Sequence, residues 1–79
     1  MADDPYEPIA CALHDRYERA LIMGIPVRLV WRDAEHEKTA KVRIRAIETA
    51  RSEEFVCFTD ALGADHRIRL DRIAFADRP

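Results

Sequence analysis

Ala40-Lys41-Val42-Arg43-Ile44-Arg45-Ala46 alternates apolar and basic residues without a break. Successive side chains of a strand point to opposite faces, so this stretch predicts a β-strand with one buried face. Toward the N-terminus, Val27, Leu29 and Trp31 alternate with Arg28, Val30 and Arg32 and predict a partner strand, Trp31 pointing inward. The polar run Asp33-Ala34-Glu35-His36-Glu37 is the turn between the two. Toward the C-terminus, Ala50 to Glu53 is a second turn and Glu54 to Thr59 a third strand. Phe55-Val56-Cys57-Phe58 makes that strand apolar on both faces, which predicts cover on both sides. Asp60 to Asp65, with Gly63, is the next turn. Ile68 and Leu70 then alternate with Arg67 and Arg69, Asp71-Arg72 marks a sharp bend, and Ile73 to Phe75 closes the chain. Connections this short suit only an antiparallel meander. Five twisted strands with one apolar face tend to curl into a small barrel.

The residues ahead of the strands change period. Leu13, Tyr17, Ala20 and Leu21 recur at helical spacing, so a helix is predicted over about Ala12 to Met23. Gly24 stops it and Pro26 prevents its resumption. Residues 1–10 read as an extended arm, because Pro5 and Pro8 oppose helix. Tyr6, Pro8 and Ile9 are expected to staple that arm onto the core. The fold class is therefore mostly β (α+β): an arm over 1–10, then one domain over 11–76 with an N-terminal helix on a small five-stranded antiparallel barrel.

A chain of 79 residues makes one domain. At this size only about 60% of the unfolded surface is buried, which leaves little room for a deep enclosed active site. Net charge is −2, so no strong basic excess announces a nucleic-acid binder. Two cysteines are too few for a disulfide scaffold, and both thiols are expected free. The acidic start lacks the apolar core of a signal peptide, and no apolar run reaches membrane-spanning length. A cytoplasmic protein is the expectation.

Catalytic signatures are absent. Gly24 and Gly63 are the only glycines, which leaves no phosphate loop or nucleophile elbow. Ser52 lies near acids with no histidine close in sequence. Cys57 sits in the most apolar strand, where a thiol is usually an inert small hydrophobe. His14, His36 and His66 fall on three different elements. Cys11 and His14 have the spacing of half a zinc site, but no second pair completes it. No enzyme activity, metal or cofactor is expected.

Two surfaces remain for binding. On a helical wheel Asp15, Glu18 and Ile22 lie opposite the Leu13/Tyr17/Leu21 stripe, flanked by His14. The carboxylates of Asp15 and Glu18, at i and i+3, project side by side. They read either as a solvated face, with Asp15 partly paired to Arg19, or as an acidic ridge aimed at a basic partner. Up to Ala20 five acids stand against two arginines. The strands carry the opposite bias: Lys41, Arg43, Arg45, Arg67 and Arg69 should face outward. That face could hold RNA phosphates, or be solvated and paired with Glu48, Glu53 and Glu54. Phe58 is the main outward aromatic available for base stacking.

Three stretches are similar to one known family. Tyr6-Glu7-Pro8-Ile9-Ala10-Cys11, followed by Asp15 and Glu18, resembles the opening of the Rho-binding antiterminator (Rof) family. Glu54-Phe55-Val56 resembles a strand start of that family, and Arg69-Leu70-Asp71-Arg72-Ile73 its C-terminal segment. The likeness spans about residues 6 to 75, with one length difference near Asp33–Thr39. It implies an Sm-like barrel behind the helix, and binding to the transcription terminator Rho near its primary RNA-binding site, which suppresses termination. By motif it assigns the contact to Asp15 and Glu18, with Arg51 and Ser52 in a matching loop and His14 where some members carry an aromatic. Ala12 and Leu13 stand where members carry acids, so the ridge is thinner here and Ile22 gives it an apolar neighbour. A monomer that meets Rho, with no membrane contact and little direct RNA binding, is the expectation.

Overall fold

A computed structural model describes residues 5–76. Asp3 and Asp4 of the acidic arm lie outside the described residues, as do the other residues of 1–4 and 77–79. The order is α1 (Cys11–Met23), β1 (Val27–Asp33), β2 (His36–Ala50), β3 (Glu53–Thr59), β4 (Asp65–Arg69), a 3-10 turn (Leu70–Arg72) and β5 (Ile73–Phe75). All strand pairs are antiparallel, in the spatial order β4-β3-β2-β1-β5. The helix, the five strands and the bend at Asp71-Arg72 follow in the predicted order, although β2 is longer than expected and Leu70 opens the 3-10 turn.

The sheet is strongly curled. Trp31 on β1 and His66 on β4 are three strand spacings apart, about 14 Å if the sheet were flat. Their ring centroids are 5.4 Å apart, and Trp31 also meets Phe58 of β3 edge-on at 4.9 Å. Curling wraps Leu29, Trp31, Val42, Ile44, Val56, Phe58, Leu70 and Ile73 into one core, which Tyr17 and Ala20 of the helix close. Closure stops short of a hydrogen-bonded barrel: no ladder joins β4 to β5 among the described residues.

Three expectations are corrected. β2 is 15 residues long, from His36 to Ala50, and the first turn shrinks to Ala34-Glu35, because the polar residues flanking it pair as Asp33 with His36 and Arg32 with Glu37. A register shift between Ile44 and Ala46 inserts Arg45 as a bulge. Beyond it the phase inverts, so Ile47, paired with core residue Val56, takes the inward place expected of Ala46. Phe58 is 1% exposed and faces inward, opposite Ile44, so it offers no base-stacking surface. The outer face of β3 gets its cover from a neighbouring strand: the Arg67 guanidinium lies 3.9 Å over the Phe55 ring.

The helix docks through the predicted stripe, Tyr17 and Ala20 buried, Leu13 and Leu21 half-buried. Gly24 ends it at φ +65, and its amide donates to the Leu21 carbonyl at 3.3 Å. Arg43 of β2 donates to the Gly24 carbonyl at 2.6 Å, tying the helix end to the sheet. Of the residues expected to staple the arm, Ile9 packs on the core while Pro8 is exposed, and backbone bonds supply the rest. The Glu7 amide donates to Asp71 at 2.9 Å, and Arg69 donates to the Pro5 carbonyl at 3.4 Å.

Candidate functional site

α1 buries one stripe, and the opposite face is what it leaves to solvent. Asp15, Glu18 and Ile22 are all exposed on that face, with His14 half-buried at its edge. The carboxylates of Asp15 and Glu18 and the His14 ring place their ligand atoms within 4.8 Å of one another. Histidine packing orders this cluster. His14 Nε2 lies 3.3 Å from a carboxylate oxygen of Glu54 on β3, and Nδ1 lies 3.7 Å from Glu18. His14 thus ties the ridge to the sheet. The solvated reading had Asp15 held by Arg19, but no ion pair within 4 Å joins them; Arg19 and Asp15 instead line one open groove beside the helix.

His14, Asp15 and Glu18 are the group among the described residues close enough to hold a metal ion, and Cys11, the predicted half-site partner of His14, is not part of it. Two of the three are exposed and nothing further points to an ion there.

Arg51 and Ser52 form the β2–β3 turn and both are exposed. Both also adopt positive φ, +53 and +66, the left-handed region that a two-residue hairpin turn of this kind demands. Asn and Gly are the residues that enter it cheaply, so an arginine and a serine there hold backbone strain at an exposed turn. The turn opens β3, whose second residue is Glu54, the partner of His14. The chain thereby links the predicted loop to the predicted ridge through one histidine–carboxylate contact. The motif places Glu54 at a strand start, but its tie to His14 is not legible in the sequence, because it depends on how the helix docks.

The basic face is largely committed within the protein. Arg67 pairs with Glu48 at 2.9 Å, and Arg69 with Asp71 at 2.6 Å and Glu53 at 3.7 Å. Arg43 caps the helix. Lys41 and Arg45 are exposed on β2.

Other ionisable groups serve the fold. Burial first, then the charges of Glu54 and Asp71, push the Tyr6 phenol up. Burial and the neighbouring Glu48 carboxylate push the Cys57 thiol up, away from the reactive thiolate. Asp60 is held below the ordinary carboxylate range by His66 at 2.9 Å and by the Ala64 and Leu62 amides, which fixes the β3–β4 turn. Cys11 and Cys57 are not bridged. No helix among the described residues is long and apolar enough to cross a membrane.

No family model, curated protein or solved structure matches this chain.

Proposed function

We propose that this protein binds the transcription terminator Rho and inhibits Rho-dependent termination by occupying its primary RNA-binding site. One observation carries the reading: Asp15 and Glu18 stand together on the solvent face of α1, with His14 holding the ridge against Glu54. The carboxylates take the place of RNA phosphates on the basic residues of the Rho site. Such contacts steer association, and truncating one partner of a desolvated charge pair costs about 2–5 kcal/mol. The Arg51-Ser52 turn is the second contact. The fold that accompanies this reading is a small Sm-like barrel, favoured by the order β4-β3-β2-β1-β5 and by the curl that brings Trp31 to His66.

The rival reading, an RNA binder using the basic face, has less support. Arg43, Arg67 and Arg69 are spent on internal bonds, and Phe58 is buried. The deciding experiment is capture of purified Rho by the immobilised protein, together with a termination assay in vitro. Wild type is expected to retain Rho and raise read-through. Asp15→Ala with Glu18→Ala is expected to abolish both while keeping the wild-type circular dichroism. Full inhibition by that double variant rules the assignment out.

A further inference from the structure

We infer that the acidic ridge continues into an apolar half-site, Ile22, Met23 and Ile25, which meets the stacking groups of a surface built for single-stranded nucleic acid. The inference rests on the Rho reading. Among the described residues four large apolar side chains are exposed: Ile22 at 82%, Met23 at 63%, Ile25 at 44% and Leu62 at 94%. Leu62 stands alone at a turn tip, and a single exposed apolar residue needs no explanation. The other three fall within four consecutive positions. A cluster at the surface marks a contact, and the fold does not need this one, since Tyr17 and Ala20 dock the helix on its other side.

The cluster is continuous with the ridge. Asp15, Glu18 and Ile22 follow at i, i+3 and i+7 and share one helix face. Ile22 lies about 10 Å along the axis from Asp15 at the helical rise of 1.5 Å per residue. Ile25, just beyond the helix end, lines an open groove of about 430 Å³ whose rim includes Asp15, Arg16, Arg19 and Phe75. Ile22 thus carries the ridge face into hydrocarbon, and Met23 and Ile25 extend that hydrocarbon round the end of the helix.

Charge selects among the occupants. An anionic lipid surface would repel Asp15 and Glu18. A single-strand nucleic-acid site fits both ends, because such sites combine a cationic groove with exposed aromatic platforms on which bases stack. The carboxylates stand in for phosphates, and Ile22, Met23 and Ile25 stand in for bases.

Binding of the full chain to Rho is measured by surface plasmon resonance across a salt series, for wild type, Ile22→Ser with Met23→Ser, Ile25→Ser, and Asp15→Asn with Glu18→Gln. The two Ile/Met positions are exposed enough to change without unfolding, and thermal melts check Ile25→Ser. Loss of the apolar pair is expected to weaken binding roughly tenfold or more, mainly through faster dissociation. The carboxylate variant is expected to slow association and flatten the salt dependence. If the apolar variants bind as wild type at every salt concentration, the half-site is overturned while the Rho reading stands. If wild type itself does not bind Rho, the Rho reading fails and the half-site falls with it. Sedimentation of the free proteins gives the third outcome: a wild-type dimer that Ile22→Ser with Met23→Ser dissolves assigns the patch to a second copy and overturns the inference.

Discussion

The Tyr17 phenol donates to the backbone carbonyl of Ile73 at 3.3 Å, so α1 is bonded to β5 across 56 residues of sequence. The ring beneath is fully buried and lies 4.6 Å from Phe75. Both parts of the side chain can be tested. Tyr17→Phe keeps the packing and removes one buried hydrogen bond, for an expected loss of about 1 kcal/mol in urea denaturation. Tyr17→Ala removes the ring as well, an expected loss of about 3–5 kcal/mol, comparable with the whole stability of a domain this small.

The same tyrosine predicts an alkaline limit. Burial raises its folded-state pKa from the ordinary 10.0 to about 12, only partly offset by the Arg16 charge. A group whose folded pKa is raised contributes stability fully below its unfolded pKa, and that contribution is lost as pH climbs through the folded value. Denaturation midpoints are therefore expected to fall between about pH 10 and pH 12. Tyr17→Phe should start lower at neutral pH and show a shallower alkaline decline. An equally steep decline in the variant assigns the effect to other groups.

Gly24 separates backbone cost from packing cost. Its φ is +65, and a Cβ there would meet only the Arg43 guanidinium, at an ordinary 3.7 Å. Gly24→Ala should thus be destabilising by about 1 kcal/mol through backbone conformation alone, and Gly24→Asn by less, since Asn enters the left-handed region more readily. Equal losses for Ala and Asn in thermal melts would mean that the Arg43 contact, not the backbone, sets the cost.

Local pattern made most of the fold legible, because a helix stripe and strand alternation need only neighbours in sequence. Gly24 and Pro26 marked the helix end for the same reason. Two of the failures involve partners distant in the chain. Arg45 reads as one more outward residue of an alternating strand; only pairing with β3 makes it a bulge and turns Ile47 inward. Phe58 reads as outward because both faces of β3 are apolar, and its true side is set by Ile44 opposite it. The candidate site divides in the same way. Exposure of Asp15, Glu18 and Ile22 followed from the wheel, whereas the His14–Glu54 contact required the docked helix.

Asp71 ties the arm to the strands, and its removal has a readable signature. Burial alone would raise its carboxyl, but hydrogen bonds from Arg69 and the Glu7 amide, with the Arg69 charge, overcome this and hold it below the ordinary range. A depressed folded pKa contributes stability above the unfolded value, lost as pH falls through the folded one. Asp71→Asn is expected to cost about 1.5–3 kcal/mol near neutral pH, and less as the pH falls below the ordinary carboxylate range and the wild-type carboxyl itself becomes protonated. Amide exchange at Glu7 should accelerate in the variant. An unchanged Glu7 rate would show that the arm is held by Tyr6 and Ile9 instead.

The β2–β3 turn allows strain and recognition to be told apart. Arg51 and Ser52 both hold positive φ with no glycine to relieve it. Arg51→Asn with Ser52→Gly supplies the residues that a two-residue hairpin favours. The double variant should gain about 1 kcal/mol, which for a domain of this size is about 4–8 °C in Tm. The proposed function adds the opposite expectation for binding: the same variant should hold Rho more weakly, because both side chains of the contact are gone. A protein that is more stable yet binds less well fits a turn kept strained for its side chains. If stability rises and Rho binding is unchanged, the turn is not a contact and the interface is confined to α1.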